Sequence, residues 1–584
     1  MGKRQEAPKG ANDFHYENFL RRSRYTTVFL VLVAAFCVIT VLNINTGNVD
    51  ISISKILRII FLREGEKMEY NIIWKIRLPR ILMAAILGGA LSLSGFLLQT
   101  FFENPIAGPF VLGISSGAKM VVALAMIYFL GKFQVVSSYT LIIAAFIGAL
   151  IATGFIAAIV PKNVRKFILA GGPLVALAAM FSLSYGTEWV VPFINGIDLH
   201  LVQVDRLNWV FGLIFSMMAA IGGIYSMHNK SWMEALASMC YAGGALGVTL
   251  CGDWMTLIFF WELMAASSLF LIWCNNTAKS RKAGFRYLLV HMFGGNMLLA
   301  GIFLKVSAGD MLVSNVTAVH DAAFWLILIG VAVNAAIPPI HGWLVDAYPE
   351  GTITGSVFLS SFTTKVAVYC LIRMFAGTEF LIWVGVVMAL YGACFAIIEN
   401  DMRRLLAYHI VSQVGFMVCG AGIGTDLALN GATAHAFSHI LYKSLLFMCA
   451  GAVIYATGIR KINHLGGLAK KMPFVFVCFV IAAFSISGIP LFNGFISKSI
   501  TISAAMEAGL PAIELLLQLA SVGTFLSITM KMIYFIFIRE GKDVEIKNEI
   551  PKNMYVAMGI GATLCTLYGI FPNLLYQFLP FAMD

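Results

Sequence analysis

Long apolar stretches recur along this chain from Val28 to Phe578, and they limit its fold more than any other feature. A helical stretch of about 18–25 apolar residues covers the roughly 30 Å of hydrocarbon in a bilayer. We count about seventeen stretches of this length, which predicts an all-α polytopic membrane protein. With 60% hydrophobic and only 12% charged residues, the composition excludes an ordinary soluble domain.

The net charge of +11 is interpreted as a topology signal, because lysines and arginines orient the loops of a multi-span protein. It therefore predicts no nucleic-acid partner. The ten cysteines are scattered in or beside apolar segments without metal-like spacing, so we interpret them as packing residues. No nucleotide-binding, haem or iron–sulfur motif is present. We expect neither a metal nor a cofactor in this chain.

Basic residues alternate between loops in a way that predicts the orientation. The basic loops expected in the cytoplasm contain Arg21, Arg22, Arg24, Lys279, Arg281, Lys282, Arg403, Arg404, Arg460 and Lys461. The intervening loop 187–206 is acidic and is expected outside. One loop, Asp346–Thr352, fits poorly because it is acidic and should be inside. The prediction is a cytoplasmic N-terminus and an external C-terminus in a bacterial cell membrane.

Three polar side chains share one stripe of an apolar helix. His435, His439 and Lys443 occur in AHAFSHILYKSLLFMCAGAVIYATG at a spacing of four and four. At roughly 100° per residue this spacing places them on the same helix face. Such groups inside a membrane span usually face a bundle interior or a hydrated cavity and mark an ion path. A lysine that extends to the membrane interface is the alternative.

Two further charged residues lie within apolar spans. Glu262 has about eight apolar residues on either side, and a carboxylate there must be paired or protonated. Lys365 lies between FLSSFTT and VAVYCLI. Because burial disfavours the charged form of a lysine, such a residue can gain and lose a proton near neutral pH.

Two spans contain helix-breaking residues. Pro338 and Pro339 interrupt the predicted helix 323–345, and Gly488 with Pro490 interrupts the predicted helix 473–501, five helices later. Corresponding breaks in two halves are typical of repeated transporter units with the ion path at the breaks. We therefore predict two inverted five-helix repeats. Each break has a polar neighbour, Asn334 at the first and Lys498 at the second.

The N-terminal part resembles one known family. Its motifs are RLPR (Arg77–Arg80), SLSGFLLQ (Ser92–Gln99), ENPIAGP (Glu103–Pro109) and LGISSGA (Leu112–Ala118). They resemble the start of the iron-siderophore and cobalamin permeases of ABC importers. The resemblance covers about a third of such a permease, so we predict a cytoplasmic tail at 1–25 and a truncated three-helix permease-like segment at 26–138.

The remainder, 139–584, resembles another family. About fourteen apolar runs accompany FFWELMAASSLF (259–270), PPIHGWLVDAYPE (338–350), FTTKVAVYCLIR (362–373), ENDMRRLLAYHIVSQVGF (399–416) and SGIPLFNGFISK (487–498). These motifs resemble the antiporter-like membrane-arm subunits of respiratory complex I and the D-type subunit of Mrp-type Na⁺/H⁺ antiporters. The absence of a long lateral helix after the last span favours the Mrp D type.

The resemblance implies a proton relay. In it, Glu262 modulates a nearby lysine, Lys365 connects the input site to the centre, His435, His439 and Lys443 are the central groups, and Lys498 exchanges protons with the far side. One position departs from the family, because Asn334 stands where a lysine is normal. Three alternatives stay open: Glu262 pairs with Lys365, the input half-channel works differently, or the chain is a non-pumping structural subunit.

The sequence thus favours an ion-translocating subunit that moves protons, with exchange for sodium left open, beside other membrane subunits. It predicts a transporter subunit rather than a stand-alone enzyme, with any redox or energising chemistry in the partners. A structural subunit and an importer permease are the alternatives.

Overall fold

The computed structural model describes residues 162–194, 197–540 and 544–581, together with short pieces between residues 23 and 88. The chain divides into two compact units, Met1–Gly117 and Ala118–Asp584. Most of the predicted permease-like segment 26–138, and the predicted helix 139–160, lie outside the described residues. The boundary predicted at residue 138 stays a prediction.

In the first unit, the described pieces are short and helical. They include a π-helical turn Arg58–Leu62 and a helix Lys67–Asn71 that continues as a π-helical turn, Ile72–Arg77. Ile59 and Ile73 are fully buried in a small apolar cluster. Burial of these isoleucines is the local source of stability in this piece.

The second unit is a helical bundle with one hairpin. Its longer α-helices are α1 (Lys162–Ser182), α2 (Arg206–Ser226), α3 (Trp232–Leu250), α4 (Trp254–Trp273), α5 (Ala278–Ser307), α6 (Ala322–Asn334), α7 (Gly342–Ala347), α8 (Gly355–Leu359), α9 (Thr363–Phe375), α10 (Phe380–Ile398), α11 (Met402–Ile423), α12 (Asp426–Thr457), α13 (Pro473–Ser487), α14 (Asn493–Glu507), α15 (Pro511–Thr524) and α16 (Lys552–Ile570), and two four-residue helices, Leu468–Lys471 and Asn573–Tyr576, accompany them. The π-helical segments Phe525–Met532 and Tyr534–Ile538 continue α15.

Each predicted helix within the described residues overlaps one of these helices or two of them separated by a break. Among the described residues, ten helical stretches have the length and composition to cross a membrane, and three shorter apolar helices accompany them. Together they match thirteen of the fourteen predicted spans of 139–584. The remaining predicted span, 139–160, lies outside the described residues. The fold is that of a multi-pass helical membrane protein, whereas the total of seventeen spans stays a prediction.

The loop 187–206, which is predicted to be external, forms an antiparallel hairpin. Strand β1 (Glu188–Ile194) pairs with β2 (Ile197–Gln203). β-branched and aromatic residues in EWVVPFI favour an extended backbone, which charge counting along the loop could not detect. After β2, Asp205 caps α2 by accepting a hydrogen bond from Asn208 N at 2.9 Å.

The long helix α12 forms the centre of the second unit. It packs against α2, α11, α13, α14 and α16, and nearly all of its residues are buried. Thr425 caps its beginning, and Gly458 ends it in the left-handed conformation at φ +76°. A helix that is apolar nearly all round must lie inside a bundle. The polar stripe of α12 is therefore placed in the interior.

The acidic loop that fitted the charge pattern poorly is neutralised by arginines. Asp346 pairs with Arg286 at 3.2 Å, and Glu350 pairs with Arg460 at 3.1 Å. The buried Arg403 donates to Gly351 O at 2.8 Å. We call the side of the bundle defined by these three arginines the basic end. The acidic residues of this loop are thus neutralised by arginines from neighbouring segments. A count of charges made one loop at a time does not include such pairs.

Candidate functional site

The stripe predicted on α12 is buried. His435, His439 and Lys443 have no exposed surface. The His435 and His439 rings lie 6.2 Å apart between centroids, and Tyr442 lies 5.3 Å from His439. Both ring nitrogens of His439 and the Nζ atom of Lys443 lack a hydrogen-bond partner among the described residues. The Lys443 side chain therefore lies inside the bundle and does not extend to its surface.

Lys498 lies at the break between α13 and α14. Its ammonium donates to Ile486 O at 2.7 Å and to Ser521 Oγ at 3.1 Å, and it lies 5.3 Å from the Phe416 ring centroid. The last carbonyls of a helix have no partner within that helix, and they attract positive charge. The break thus creates the acceptor that holds this lysine.

Lys365 lies at a third break, between α8 and α9, that no motif in the sequence predicted. The ammonium donates to Ser360 O at 2.6 Å and to Thr364 Oγ1 at 3.1 Å. Ser360 directly follows α8, so its carbonyl is also freed by the interruption. Lys365 and Lys498 are held in the same way, each by a carbonyl at the end of the preceding half-helix.

These groups form a row. His435 connects α12 to α14, since its Nδ1 lies 3.0 Å from Ser497 Oγ, next to Lys498. The charges of Lys365 and Lys443 act on His439, and that of Lys498 acts on His435. We call Lys365, His439, Lys443, His435 and Lys498 the central row. No hydrogen bond joins a carboxylate to any of them in the described part of the chain.

The chemistry of the central row follows from its charges. Placing several cations close together in a low-dielectric interior is costly, and no anion pairs with them in the described residues. They cannot all be protonated together, so protonation of one disfavours protonation of the next. Such a row can pass a proton from one group to the next.

Glu262 lies outside the central row. It belongs to the exposed stripe of α4 that also includes Met255 and Phe259. Gly295 of α5 lies directly against its carboxylate, where a Cβ would overlap Oε1. The hydrogen bonds of Lys365 go to Ser360 and Thr364, so the pairing of Glu262 with Lys365 is not the observed arrangement. Because α4 is apolar on all sides, the sequence did not reveal which face is outermost.

Asn334 is buried at the end of α6, and its Nδ2 atom has no hydrogen-bond partner among the described residues. The break after it leads to His341, whose Nε2 lies 2.8 Å from Tyr391 Oη. An amide can donate and accept hydrogen bonds but does not take up protons in this pH range. Asn334 is therefore placed beside the first break, as predicted, without a titrating function.

The two predicted breaks have the same backbone geometry. Ala336-Ile337-Pro338 and Gly488-Ile489-Pro490 occupy equivalent positions, and both Ala336 and Gly488 have positive φ. Ile337 N donates to Ala332 O at 3.1 Å, and the equivalent bond from Ile489 N is 3.0 Å long. Each helix thus ends in a Schellman motif. This local equivalence agrees with the predicted five-helix repeat.

Two polar residues on α11 were missed from the sequence. His409 and Gln413 are fully buried, and they are four residues apart in AYHIVSQVGF. Gln413 Oε1 accepts from Tyr442 Oη at 3.4 Å, which connects α11 to α12. The i, i+4 spacing on an apolar helix was the available signal, and it is the same signal that identified the α12 stripe.

The fold and this site define a class, namely multi-pass membrane proteins with broken helices and a buried row of basic residues. Residues 251–527 match the NADH:quinone oxidoreductase/Mrp antiporter transmembrane family. An uncharacterized protein of Methanocaldococcus jannaschii, MJ1309, is 30% identical over 388 residues, which cover 63% of this chain and 80% of that protein. The chain belongs to this antiporter and complex I membrane-subunit family.

Other relatives have established names. Na(+)/H(+) antiporter subunit A1 of Staphylococcus aureus is 31% identical over 66% of this chain, and the chain spans 54% of that subunit. The fold resembles a chain of the Mrp complex from Dietzia, with a TM-score of 0.66 at 21% identity over 81% of this chain and 96% of that one. It also resembles a chain of Thermus thermophilus respiratory complex I, with a TM-score of 0.62 at 18% identity over 81% of this chain and 100% of that one. Assignment to the Mrp D type stays a prediction.

The predicted resemblance of the N-terminal part to importer permeases also has a matching family. Residues 33–272 match the FecCD transport family. This range passes the domain boundary predicted at residue 138 and overlaps the antiporter match between residues 251 and 272.

Proposed function

We propose that this chain is an ion-translocating subunit of a multisubunit membrane complex and that protons pass along the central row. One observation carries the proposal: five basic side chains are buried together without a carboxylate partner among the described residues. Burial and mutual repulsion favour their neutral forms, so each can accept a proton and release it to a neighbour. A buried lysine nitrogen without a protein partner must be either hydrated or uncharged. Both conditions suit a proton path.

The breaks support a direction for the path. Lys365 and Lys498 lie at two different interruptions, on helices that both pack against α12, and each is held by a freed carbonyl. Interrupted backbone at membrane depth is tolerated where it lines a cavity or is buried in protein. Lys365 is proposed as the entry to the central groups and Lys498 as the exit. The basic end is proposed to face the cytoplasm of a bacterial cell.

Partners and counter-ion are proposed from the relatives. The names of the related proteins include a Na(+)/H(+) antiporter subunit and chains of Mrp and respiratory complexes. We therefore expect other membrane subunits beside this chain, with sodium as the ion exchanged for protons. The energising reaction would belong to those partners.

The experiment replaces Lys443 by methionine, which keeps the length of the side chain and removes its basic group. Everted vesicles containing the native complex are given a pH gradient, and its decay is followed with a fluorescent amine, with and without NaCl. We expect Lys443→Met to abolish proton flux while subunit levels stay normal. Lys470→Met, at an exposed position, is the control. Normal flux in an assembled Lys443→Met complex would contradict the proposal, and flux independent of NaCl would exclude sodium exchange.

A non-pumping structural subunit is the second candidate. Asn334 favours it, because it replaces the lysine that the family resemblance implies. If this candidate is right, Lys443→Met leaves flux unchanged while deletion of the whole chain dissociates the complex.

A further inference from the structure

We propose that His409 is a further proton-relay residue, which extends the central row from α12 onto α11. The inference rests on the proposed function and adds a residue to which neither the family matches nor the sequence motifs give a role. Its basis is the position and hydrogen bonding of the imidazole.

The His409 side chain has no exposed surface. Its Nε2 atom lies 2.7 Å from Ser527 Oγ, whereas Nδ1 has no partner among the described residues. The charges of Lys443 and Lys498 both act on this ring. His409 is therefore a buried titratable group on which the charges of two members of the central row act, and it lies on a different helix from either of them.

The hydrogen bonds of Ser527 indicate the tautomer. Its hydroxyl donates to Gly523 O at 2.7 Å, so its oxygen is left to accept from His409 Nε2–H. A neutral imidazole with its proton on Nε2 has a free lone pair on Nδ1. Nδ1 is thus the atom that can take up a proton, and the ring can do so without breaking its bond to Ser527.

The partner of His409 lies in an unusual segment. Ser527 belongs to the π-helical stretch Phe525–Met532, and π-helical turns inside helices are frequent at functional sites. Four residues further, Lys531 donates to Ile397 O at 2.7 Å, where α10 ends. The charges that act on the ring are those of Lys443 on α12 and Lys498 on α14, and Gln413 lies four residues further along α11. His409 thus has basic neighbours and no acidic partner in the described part of the chain, which is the same environment as that of the central row.

In the proposed step, His409 Nδ1 accepts a proton from the Lys443 ammonium, directly or through water. The resulting imidazolium passes the proton from Nδ1 to Lys498. No bond other than N–H is formed or broken, and the charge moves with the proton. The relay therefore needs no further reactant.

The test compares variants that separate proton transfer from hydrogen bonding. In His409→Gln, the amide nitrogen can replace Nε2 as the donor to Ser527, but the side chain cannot take up a proton. Ser527→Ala removes the hydrogen bond and keeps the imidazole. Proton flux is measured in everted vesicles containing the full complex, beside Lys443→Met as the reference for a blocked central row, and subunit levels are quantified.

We expect His409→Gln to lower flux about a hundredfold, the low end of what a positioned proton-transfer group contributes, while Ser527→Ala retains most of it. Wild-type flux in His409→Gln with loss in Lys443→Met would overturn this inference and leave the proposed function intact. Wild-type flux in both would overturn the proposed function itself. If His409→Gln does not assemble, His409→Asn is measured instead. Failure of both to assemble would assign His409 a structural role and overturn the inference.

Discussion

Ala336 and Gly488 occupy the same position in two broken helices, and both have a left-handed backbone, with φ +56° and φ +76°. Each is the residue just past the helix end, where glycine is normally preferred. Only one of the two breaks has the glycine. The first break therefore retains a backbone conformation that costs an L-residue roughly 1–2 kcal/mol.

The first prediction exchanges these residues. Ala336→Gly should stabilise the chain by about 0.5–1 kcal/mol, because relief of the left-handed strain exceeds the entropy cost of glycine. Gly488→Ala should destabilise it by about 1 kcal/mol or more. A new Cβ at 488 would also lie 3.4 Å from Lys498 Cδ. Thermal unfolding in detergent measures both changes. Gly342→Ala, with open space and no positive φ, is the control. Equal shifts for all three variants would contradict the prediction.

The second prediction contrasts two polar positions near the breaks. Lys365→Met should abolish proton flux, because Lys365 is the first group of the central row. Asn334→Ala should change flux less than about twofold, because an amide does not transfer protons in this pH range. Flux in everted vesicles measures both. A complete loss in Asn334→Ala would show that the first break belongs to the path.

The third prediction concerns Glu262. Since the Lys365 ammonium binds Ser360 O and Thr364 Oγ1, its removal should leave the carboxyl band of Glu262 unchanged in an infrared pH titration. Glu262→Gln identifies the band. A shift of that band in Lys365→Met would mean that the two side chains interact, and Lys365 would then be the lysine that Glu262 modulates in the relay implied by the resemblance.

The sequence predicted most of the fold because bilayer thickness sets the lengths of the apolar runs. Pro338 and Gly488 predicted two of the breaks, since each residue interrupts a helix by its own chemistry. The third break could not be found in this way, because Ser360, Ser361 and Phe362 are not helix breakers. The exposure of Glu262 could not be predicted from the sequence either, since it depends on which face of α4 packs against the neighbouring helices. His409 was detectable from its spacing and was overlooked.

The fourth prediction tests the arginines at the basic end. Arg403 is buried and donates to carbonyl oxygens of the loop between α7 and α8, whereas its neighbour Arg404 is largely exposed and pairs with Glu399 at 3.4 Å. Arg403→Ala should destabilise the chain by about 2–3 kcal/mol, because it removes charge-assisted hydrogen bonds from buried carbonyls. Arg404→Ala should cost less than about 1 kcal/mol. Thermal unfolding measures both, and equal losses would mean that burial of Arg403 contributes nothing.

The last prediction concerns the permease-like segment. The large apolar core of the second unit is built from residues between Met180 and Leu579, all of which lie beyond residue 135. A chain lacking residues 1–135 should therefore fold, assemble and retain proton flux. Subunit levels and gradient decay measure this, and growth under iron limitation with a siderophore tests the importer alternative. A siderophore-uptake defect in the truncated strain would give that segment a transport function. Loss of assembly would instead show that the two units depend on each other, as the extent of the FecCD match to residue 272 would then suggest.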